Sequence, residues 1–184
     1  MDRTPLILLP GLLCDAALFH AQTAALADVA APEVVVLTED DSMAGMARRV
    51  LERAPERFAL AGLSMGGYCA QEIMRQAPER VGRLALLDTS PEADTPDRTA
   101  TREAWIADAR AEGLDAVIPR HVEMYLPPER LGERDLVAAV EASARNIGLA
   151  AYVRQQRAIA GRADGRGALA RLGCPTRVLC GRPA

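Results

Sequence analysis

Short apolar runs alternate with segments of helical spacing along residues 1–90 of the chain. Apolar runs bounded by turn residues are typical of strands that are buried on both faces of a parallel sheet. Ser42 predicts the start of one intervening helix, because it can cap a segment that places Met43, Met46 and Val50 on one face. This alternation predicts an α/β fold with a mostly parallel sheet and crossover helices on both faces. The predicted strands of this part cover residues 5–9, 33–37, 58–61 and 84–87.

After residue 90 the apolar positions recur only at helical spacing until a last strand pattern at 176–180. Thr95 and Pro96 predict the start of the first of four helices, as a cap and a first-turn proline, and Gly148 separates the third helix from the fourth. Since these helices interrupt the strands of the sheet, they predict a helical cap inserted after the strand that ends near Asp88. The predicted domains are an α/β core over residues 1–90 and 163–184 and a cap over residues 91–162.

One strand-to-helix junction carries a serine at its apex. Residues 62–66 read Gly-Leu-Ser-Met-Gly and match G-x-S-x-G, in which the serine hydroxyl projects from a tight turn. A Cβ atom at Gly62 or Gly66 would collide across such a turn, and the backbone of Ser64 would be strained. The alternative is an ordinary glycine-rich turn with a spectator serine. The apolar strand before the motif and the helix after it favour a nucleophile elbow.

Composition narrows the class of protein and its partners. Of the 184 residues, 49% are hydrophobic and 26% charged, as in ordinary globular domains, and the net charge is −3. This balance supplies no basic surface, so neither nucleic acid nor a membrane is an expected partner. The N-terminal segment resembles neither a signal peptide nor a membrane span, and the four cysteines form no C-x-x-C pair. A cytoplasmic protein with reduced thiols, no metal site and no cofactor is therefore expected.

Four stretches of the chain together resemble the α/β-hydrolase family, over essentially all residues from Pro5 to Ala184. Pro10-Gly11-Leu12 stands where the family has its oxyanion loop, although proline replaces the family's common histidine. The likeness is to the small capped serine esterases, and it is specific for fold and catalytic class but weak for substrate. The other matching motifs are Gly62-Leu63-Ser64-Met65-Gly66-Gly67 at the elbow, Leu86-Leu87-Asp88-Thr89-Ser90-Pro91 at the exit toward the cap, and Arg162-x-Asp164, Leu169 and residues 175–181 on the approach to the catalytic acid.

The resemblance implies a serine hydrolase that acts on a small ester or related acyl bond through an acyl-enzyme on Ser64. The backbone N–H groups of Leu12 and Met65 would stabilise the oxyanion. In the family, the acid follows the serine and the histidine follows the acid, which places the acid at or just after Ala184 and the histidine beyond it. The resemblance therefore predicts that the last helix and strand of the fold are missing, and that the 184-residue chain is truncated and inactive alone.

Residues inside the chain offer alternatives for the site. Asp88 ends a predicted strand and is a candidate acid, although a loop aspartate that caps backbone amides fits the same position. His121 follows Ser64 and Asp88 in the chain and is a candidate base, although it lies in the middle of the predicted cap. Trp105 and Phe19 are candidate substrate-binding residues, with packing in the cap or core as the alternative for each.

Several functions remain open on this fold. Acyl transfer, aminopeptidase action and carbon–carbon hydrolysis use the same elbow, because fold does not fix substrate. A function of another class, a non-catalytic ligand-binding or interaction protein derived from a hydrolase, would fit the missing histidine. The predicted partner is a small-molecule ester or acyl compound. An exposed fifth strand also predicts a homodimer formed through the edge of the sheet.

Overall fold

The computed structural model describes residues 3–181. Its centre is one sheet of five parallel strands in the order β2-β1-β3-β4-β5. This arrangement confirms the predicted α/β fold with a parallel sheet. The strands are β1 Thr4–Leu9, β2 Ala30–Val34, β3 Phe58–Leu63, β4 Val81–Leu87 and β5 Thr176–Leu179. The helices are α1 His20–Ala25, α2 Met43–Arg53, α3 Met65–Gln76, α4 Pro96–Glu112, α5 Leu114–Tyr125, α6 Arg134–Ala160 and α7 Arg166–Leu169, with short 3-10 turns at Ala16–Phe19, Pro78–Arg80 and Pro128–Arg130.

Both faces of the sheet are covered, which explains why the central strands are continuously apolar. Successive side chains of a strand point to opposite faces. Leu9 therefore joins the main core under α2 and α3, whereas Leu8 packs on the opposite face with Phe19 and Ala61. Removing each such side chain from water stabilises the fold by about 1.5–3 kcal/mol. The predicted placement of helices on both faces is confirmed.

The boundaries of β2 differ from the prediction. The valine-rich run at 33–37 predicted the strand, but the residues paired with β1 are Ala30–Val34. Val35 and Leu37 are buried in the core beyond the ladder, where Val35 N–H still donates to Leu8 O at 3.0 Å. Pro32 is tolerated inside the strand because β2 lies at an edge of the sheet. The apolar run thus indicates which residues are buried. Only some of these residues also pair with the neighbouring strand.

The segment between β4 and β5 is helical, as predicted. Its helices α4, α5 and α6 pack against one another. The third and fourth predicted helices are the two halves of α6, which bends at Gly148, where φ is 78°. A residue other than glycine would be strained at that angle, so the predicted boundary coincides with a real break in the helix. Cap side chains reach the loops after β1 and β2, for example from Arg154 Nε to Thr38 O at 2.7 Å.

The strand β5 is an apolar edge. It pairs with β4 alone among the described residues. Val178 is 70% exposed and Leu179 is 57% exposed, and Cys180 just after the strand is exposed as well. This exposure agrees with the edge predicted from the sequence. Edge strands of this kind are templates for pairing with another chain.

Two kinds of feature do not occur between residues 3 and 181. No helix there has both the length and the apolar character needed to cross a bilayer. No group of three or more His, Cys, Asp or Glu side chains there is arranged to hold a metal ion.

Candidate active site

Ser64 occupies the apex of the junction between β3 and α3, in a strained backbone conformation. Its φ is 51° and its ψ is −111°, a region that costs a non-glycine residue about 1–3 kcal/mol. Three hydrogen bonds of 2.9 Å hold this conformation. Ser64 N–H donates to Leu87 O, and Ser64 O accepts from Gly67 N–H and from the Thr89 hydroxyl. The serine is thus fixed at the carboxyl end of the central strand, where ligands of parallel sheets bind.

The glycines of the elbow are required by close backbone contacts. A Cβ atom on Gly62 would overlap the carbonyl of Gly66, and a Cβ atom on Gly66 would overlap the carbonyl of Leu9. The sequence indicated both of these positions. It gave no reason for Gly67, where a Cβ atom would lie 2.5 Å from the hydroxyl of Thr89. Close packing of helix, strand and loop therefore specifies all three glycines.

The loop after β1 lies next to the elbow and forms a tight turn. Cys14 N–H donates to Gly11 O at 3.2 Å, which places Leu12 and Leu13 at the centre of a β-turn. A Cβ atom on Gly11 would lie 3.7 Å from the Leu63 carbonyl, so the loop and the elbow are in contact. Leu13 has a φ of 57°, an uncommon value for leucine. The loop predicted to form half of an oxyanion hole thus adjoins the serine.

The backbone groups predicted for the oxyanion hole are free to donate. Met65 is the first residue of α3, so its N–H has no acceptor within the helix. Within residues 3–181, neither Leu12 N–H nor Met65 N–H donates to another loop, turn or side-chain group. Both residues are almost fully buried. A buried N–H at a helix start favours negative charge, which suits a developing oxyanion.

The cap holds the turn after β1 through side chains that the sequence did not indicate. The Tyr125 hydroxyl donates to Leu12 O at 2.8 Å, and Leu13 N–H donates to Gln155 Oε1 at 3.1 Å. The Ser143 hydroxyl donates to Leu13 O at 3.2 Å. The contacts between cap and loop are therefore hydrogen bonds to the backbone beside the predicted oxyanion donor.

Two cysteine thiols lie close to the elbow, and neither is an activated nucleophile. Burial raises the pKa of Cys14 to about 11, and the neighbouring Asp15 raises it further. Burial likewise raises the pKa of Cys69, which is inside the core. Because the thiolate is the reactive form, both thiols are inert near neutral pH. Neither cysteine is therefore a candidate nucleophile at this junction.

A polar cleft of about 380 Å³ lies beside the elbow. Two of its lining residues, Tyr68 and Thr89, donate to the carbonyl of Ser64, although Ser64 itself does not line the cleft. Asp88, the candidate acid, is exposed in this cleft with a φ of 43°, and its N–H donates to Leu179 O at 2.7 Å. Its catalytic role stays a prediction. The full lining is Tyr68, Asp88, Thr89, Ser90, Asp94, Arg98, Arg102 and Arg162.

A buried ion cluster forms one wall of this cleft. The Asp94 carboxylate is fully buried and accepts from Arg102 Nε at 2.6 Å and from Arg162 Nη1 at 2.5 Å. The Arg162 guanidinium also lies over the Tyr68 ring at 4.2 Å. Burial alone would raise the pKa of Asp94, but the hydrogen bonds from Arg102 and Arg162 outweigh it and hold the pKa below its ordinary value. This cluster joins the start of the cap to its end.

Replacing Asp94 with alanine is expected to destabilise the protein by about 3 kcal/mol at neutral pH, because two arginines would lose their buried partner. The pKa of Asp94 is lowered in the folded state. Its contribution is therefore present above the ordinary aspartate pKa and is lost as the pH falls through the folded value. Urea unfolding from pH 7 downward should show the two proteins converging below about pH 4.

Asp97→Ala is the control for that measurement, because Asp97 is an exposed acid in the first turn of α4, three positions after Asp94. It should change the unfolding free energy by less than about 1 kcal/mol. An Asp94→Ala protein as stable as the parent at neutral pH would contradict a stabilising role for the cluster.

His121 lies in the interior of the cap and not at Ser64. It is 1% exposed and is surrounded edge-on by the rings of Trp105, Tyr125 and Tyr152. Its Nδ1 lies 2.9 Å from Val117 O, and its Nε2 lies 3.5 Å from the Tyr152 hydroxyl. A carbonyl can only accept, so Nδ1 carries the proton.

Both ring nitrogens of His121 are thus engaged by cap groups. Burial lowers the pKa of His121, which keeps the ring neutral. In the described part of the chain, no hydrogen bond joins Ser64 Oγ to a histidine. The hydrogen bonds of His121 give no support to the alternative pair of Ser64 and His121, and a catalytic role for His121 stays a prediction.

The two predicted substrate-binding residues pack elsewhere. A substrate contact by Phe19 stays a prediction, and its side chain is buried on the sheet against Leu8 and Ala61. The reason is that the 3-10 turn before α1 covers one face of the sheet. Trp105 packs against His121 and under the Arg120 guanidinium, and it does not line the cleft. A substrate contact by Trp105 stays a prediction.

The chain resembles known proteins in sequence over part of its length. No protein-family model matches the chain. A pimeloyl-[acyl-carrier protein] methyl ester esterase of Pectobacterium carotovorum is 34% identical over 91 residues, which cover 50% of this chain. The match spans only 36% of the length of that esterase.

Solved structures match almost the whole described fold. A thermophilic esterase from Thermogutta terrifontis superimposes with a TM-score of 0.84 at 22% identity. The superimposed part covers 96% of this chain and 71% of the esterase chain. An enol-lactonase from Burkholderia xenovorans gives 0.84 at 20% identity, with 97% and 72% covered. A hydrolase from Pseudomonas aeruginosa gives 0.85 at 25% identity, again with 97% and 72% covered. With its parallel sheet, strand-to-helix elbow and helical insertion after β4, the chain has the α/β-hydrolase fold.

Proposed function

We propose that this protein is a serine hydrolase that cleaves a small ester or related acyl bond through an acyl-enzyme on Ser64. The observation that carries the proposal is the strained φ of 51° at Ser64, held between glycines whose replacement would overlap the backbone. Strain of this size persists only where the surrounding structure imposes it, and it is concentrated at functional sites. The pimeloyl-[acyl-carrier protein] methyl ester esterase among the relatives supports an ester as substrate.

In the proposed reaction, the Ser64 hydroxyl attacks the carbonyl carbon of the ester and loses its proton to a base. The carbonyl oxygen becomes an oxyanion that accepts from Leu12 N–H and Met65 N–H. Each such donor contributes roughly a hundredfold to a thousandfold in rate. Collapse of the tetrahedral intermediate expels the alcohol and leaves an acyl group on Ser64. Water then attacks that acyl group and releases the carboxylic acid.

The proposed base and acid are a histidine and an acidic residue beyond position 184. Both nitrogens of His121 are engaged inside the cap, which supports a different histidine as base. The structural neighbours are longer than this chain, which covers 71–72% of the three described above. Asp88 is retained as the alternative acid because its side chain is exposed at the end of β4, beside the elbow.

Labelling with an active-site phosphonate tests this proposal. A p-nitrophenyl phosphonate mimics the ester and becomes attached to the serine that attacks it. Peptide mass analysis of the complete protein should locate the label on Ser64. Label on Ser143 would overturn the assignment of Ser64 as the nucleophile. Label on no serine would overturn the proposal and favour a non-catalytic binding function. Label on Ser64 that is lost in His121→Ala would instead make His121 the base.

In the 184-residue chain by itself, the exposed edge of the sheet is expected to cause self-association through β5. The 70% exposure of Val178 leaves an apolar strand whose outer backbone groups can pair with a second copy. Val178→Lys should shift the protein toward monomer, because a charged edge resists pairing. Light scattering across a concentration series measures this shift, with Met124→Lys, at an exposed position of α5, as the control. A parent protein that stays monomeric at high concentration would contradict the expected dimer.

A further inference from the structure

One peptide group of the turn after β1 is held from both sides by the cap. The carbonyl of Leu12 and the N–H of Leu13 belong to the same planar peptide unit. Tyr125 from α5 donates to the carbonyl at 2.8 Å, and Gln155 from α6 accepts from the N–H at 3.1 Å. Because the two groups point in opposite directions in a trans peptide, these bonds fix the orientation of the plane.

The orientation of this peptide distinguishes a type I β-turn from a type II β-turn. The peptide lies at the centre of the turn closed by Gly11 and Cys14. The φ of Leu13 is 57° and that of Leu12 is not positive, which corresponds to a type II turn. Type II turns favour glycine at the position of Leu13, and a leucine there is strained. Flipping this peptide would convert the turn to type I and relieve the strain.

Of the two side chains that hold the peptide, that of Gln155 is itself fixed. Gln155 is fully buried, and its Nε2 donates to Leu37 O at 2.8 Å, which sets the direction of its amide oxygen. Burial of the Tyr125 hydroxyl raises its pKa well above the ordinary value, so the group stays protonated and continues to donate. A flipped peptide would lose both hydrogen bonds and leave the buried oxygen of Gln155 without its donor. The cost of leaving that buried acceptor unpaired opposes the relief of strain and favours the observed orientation.

We propose that Tyr125 and Gln155 are positioning residues that keep the Leu12–Leu13 peptide in its strained orientation and thereby aim Leu12 N–H at the oxyanion. This inference rests on the proposed function, in which Leu12 N–H stabilises the transition state. Leu12 N–H belongs to the preceding peptide and is joined to the held peptide through the Leu12 Cα. Loss of the two hydrogen bonds therefore loosens the turn on both sides of that Cα and lets the direction of Leu12 N–H vary. A donor displaced by about 1 Å can cost as much as a hundredfold in rate. The cap then contributes to the chemical step as well as to any choice of substrate.

The test uses Tyr125→Phe and Gln155→Leu in the complete protein, with two matched controls. Tyr152→Phe removes another hydroxyl from the cap, and Gln156→Leu removes the neighbouring, equally buried amide. In the part of the chain that the structure describes, neither control side chain forms a hydrogen bond with the turn after β1. The measurements are kcat and KM for a p-nitrophenyl ester, the thermal midpoint, and amide hydrogen exchange at Leu13 by NMR.

We expect kcat to fall roughly tenfold in each of the two test variants, with KM changed by less than about twofold, because the lost interaction acts in the transition state. Exchange at Leu13 should accelerate at least about tenfold in Tyr125→Phe, although Tyr125 does not contact that N–H, because both groups share one peptide. The controls should lower the thermal midpoint, because both side chains are buried, but leave kcat and this exchange rate unchanged.

Unchanged exchange at Leu13 in Tyr125→Phe overturns the inference, whatever the activity. If exchange at Leu13 is faster in Tyr125→Phe but kcat is unchanged, the orientation of this peptide does not contribute to catalysis. Absence of turnover that depends on Ser64 in the parent protein overturns the proposed function instead. In that case the exchange rates still decide whether the cap holds the peptide.

Discussion

Replacing Gly66 with valine is expected to abolish cooperative folding of the protein at room temperature. The Cβ atom of any side chain at this position would overlap the carbonyl of Leu9, which is backbone and cannot rotate away. Relief would require α3 to move off the end of β1, and α3 packs on β1, β3 and β4. Three residues of α3 itself, Cys69, Ala70 and Ile73, are fully buried in the core. Separating these layers removes stabilisation comparable to the 5–15 kcal/mol of a typical domain.

Circular dichroism during heating measures this effect. The Gly66→Val protein should show no cooperative transition, and it should bind a dye that reports exposed apolar surface. Gly132→Val is the matched control, because no atom lies within 4 Å of a Cβ atom at Gly132 and its φ is not in the left-handed region. It should melt close to the parent. A Gly66→Val protein that melts within a few degrees of the parent would show that the elbow tolerates a side chain and is not closely packed.

Removing the hydroxyl of Ser64 is expected to reduce ester turnover by roughly 10⁴-fold or more, as loss of the nucleophile does in serine proteases. Ser64→Ala and Ser64→Gly should be equally inactive. They should differ in stability, because alanine keeps the unfavourable φ of 51° whereas glycine adopts it freely. Relief of about 1–3 kcal/mol of strain is partly offset by the greater entropy of an unfolded glycine, about 0.5–1 kcal/mol. Ser64→Gly should therefore be about 1 kcal/mol more stable than Ser64→Ala.

Turnover of p-nitrophenyl acetate and unfolding in urea test the two halves of this prediction separately. Ser90→Ala is the activity control, since Ser90 lines the cleft but lies outside the elbow. Turnover by Ser64→Ala within tenfold of the parent would contradict the role of Ser64. Equal stability of the alanine and glycine variants would contradict the strain, whatever the activity.

The elbow could be predicted from the sequence because its causes are local. The strand, the serine and the glycines lie within residues 58–67, and their spacing alone specifies the turn. The break at Gly148 was predictable for the same reason, since a glycine between two apolar periods indicates a helix end. The residues of β2 that pair with β1 could not be predicted, because the buried valines extend past the paired residues.

The contacts around the site could not be predicted because they join distant parts of the chain. Tyr125 and Leu12 are 113 positions apart, and Gln155 and Leu13 are 142 positions apart. A tyrosine and a glutamine on cap helices carry no signal of such partners. The position of His121 also depended on tertiary structure, because its order in the chain allowed a catalytic role and its surroundings in the cap do not support one.

The turn after β1 has a consequence for the order in which the molecule matures. Leu12 and Leu13 leave the ribosome long before Tyr125 and Gln155, so a nascent chain has the turn before it has the groups that strain it. The turn can adopt its unstrained conformation until α5 and α6 pack against it. On heating, undocking of these helices would let the same turn relax while the sheet persists. Loss of activity should therefore precede loss of strand signal in a slow thermal ramp, and both should return together only after the cap has refolded.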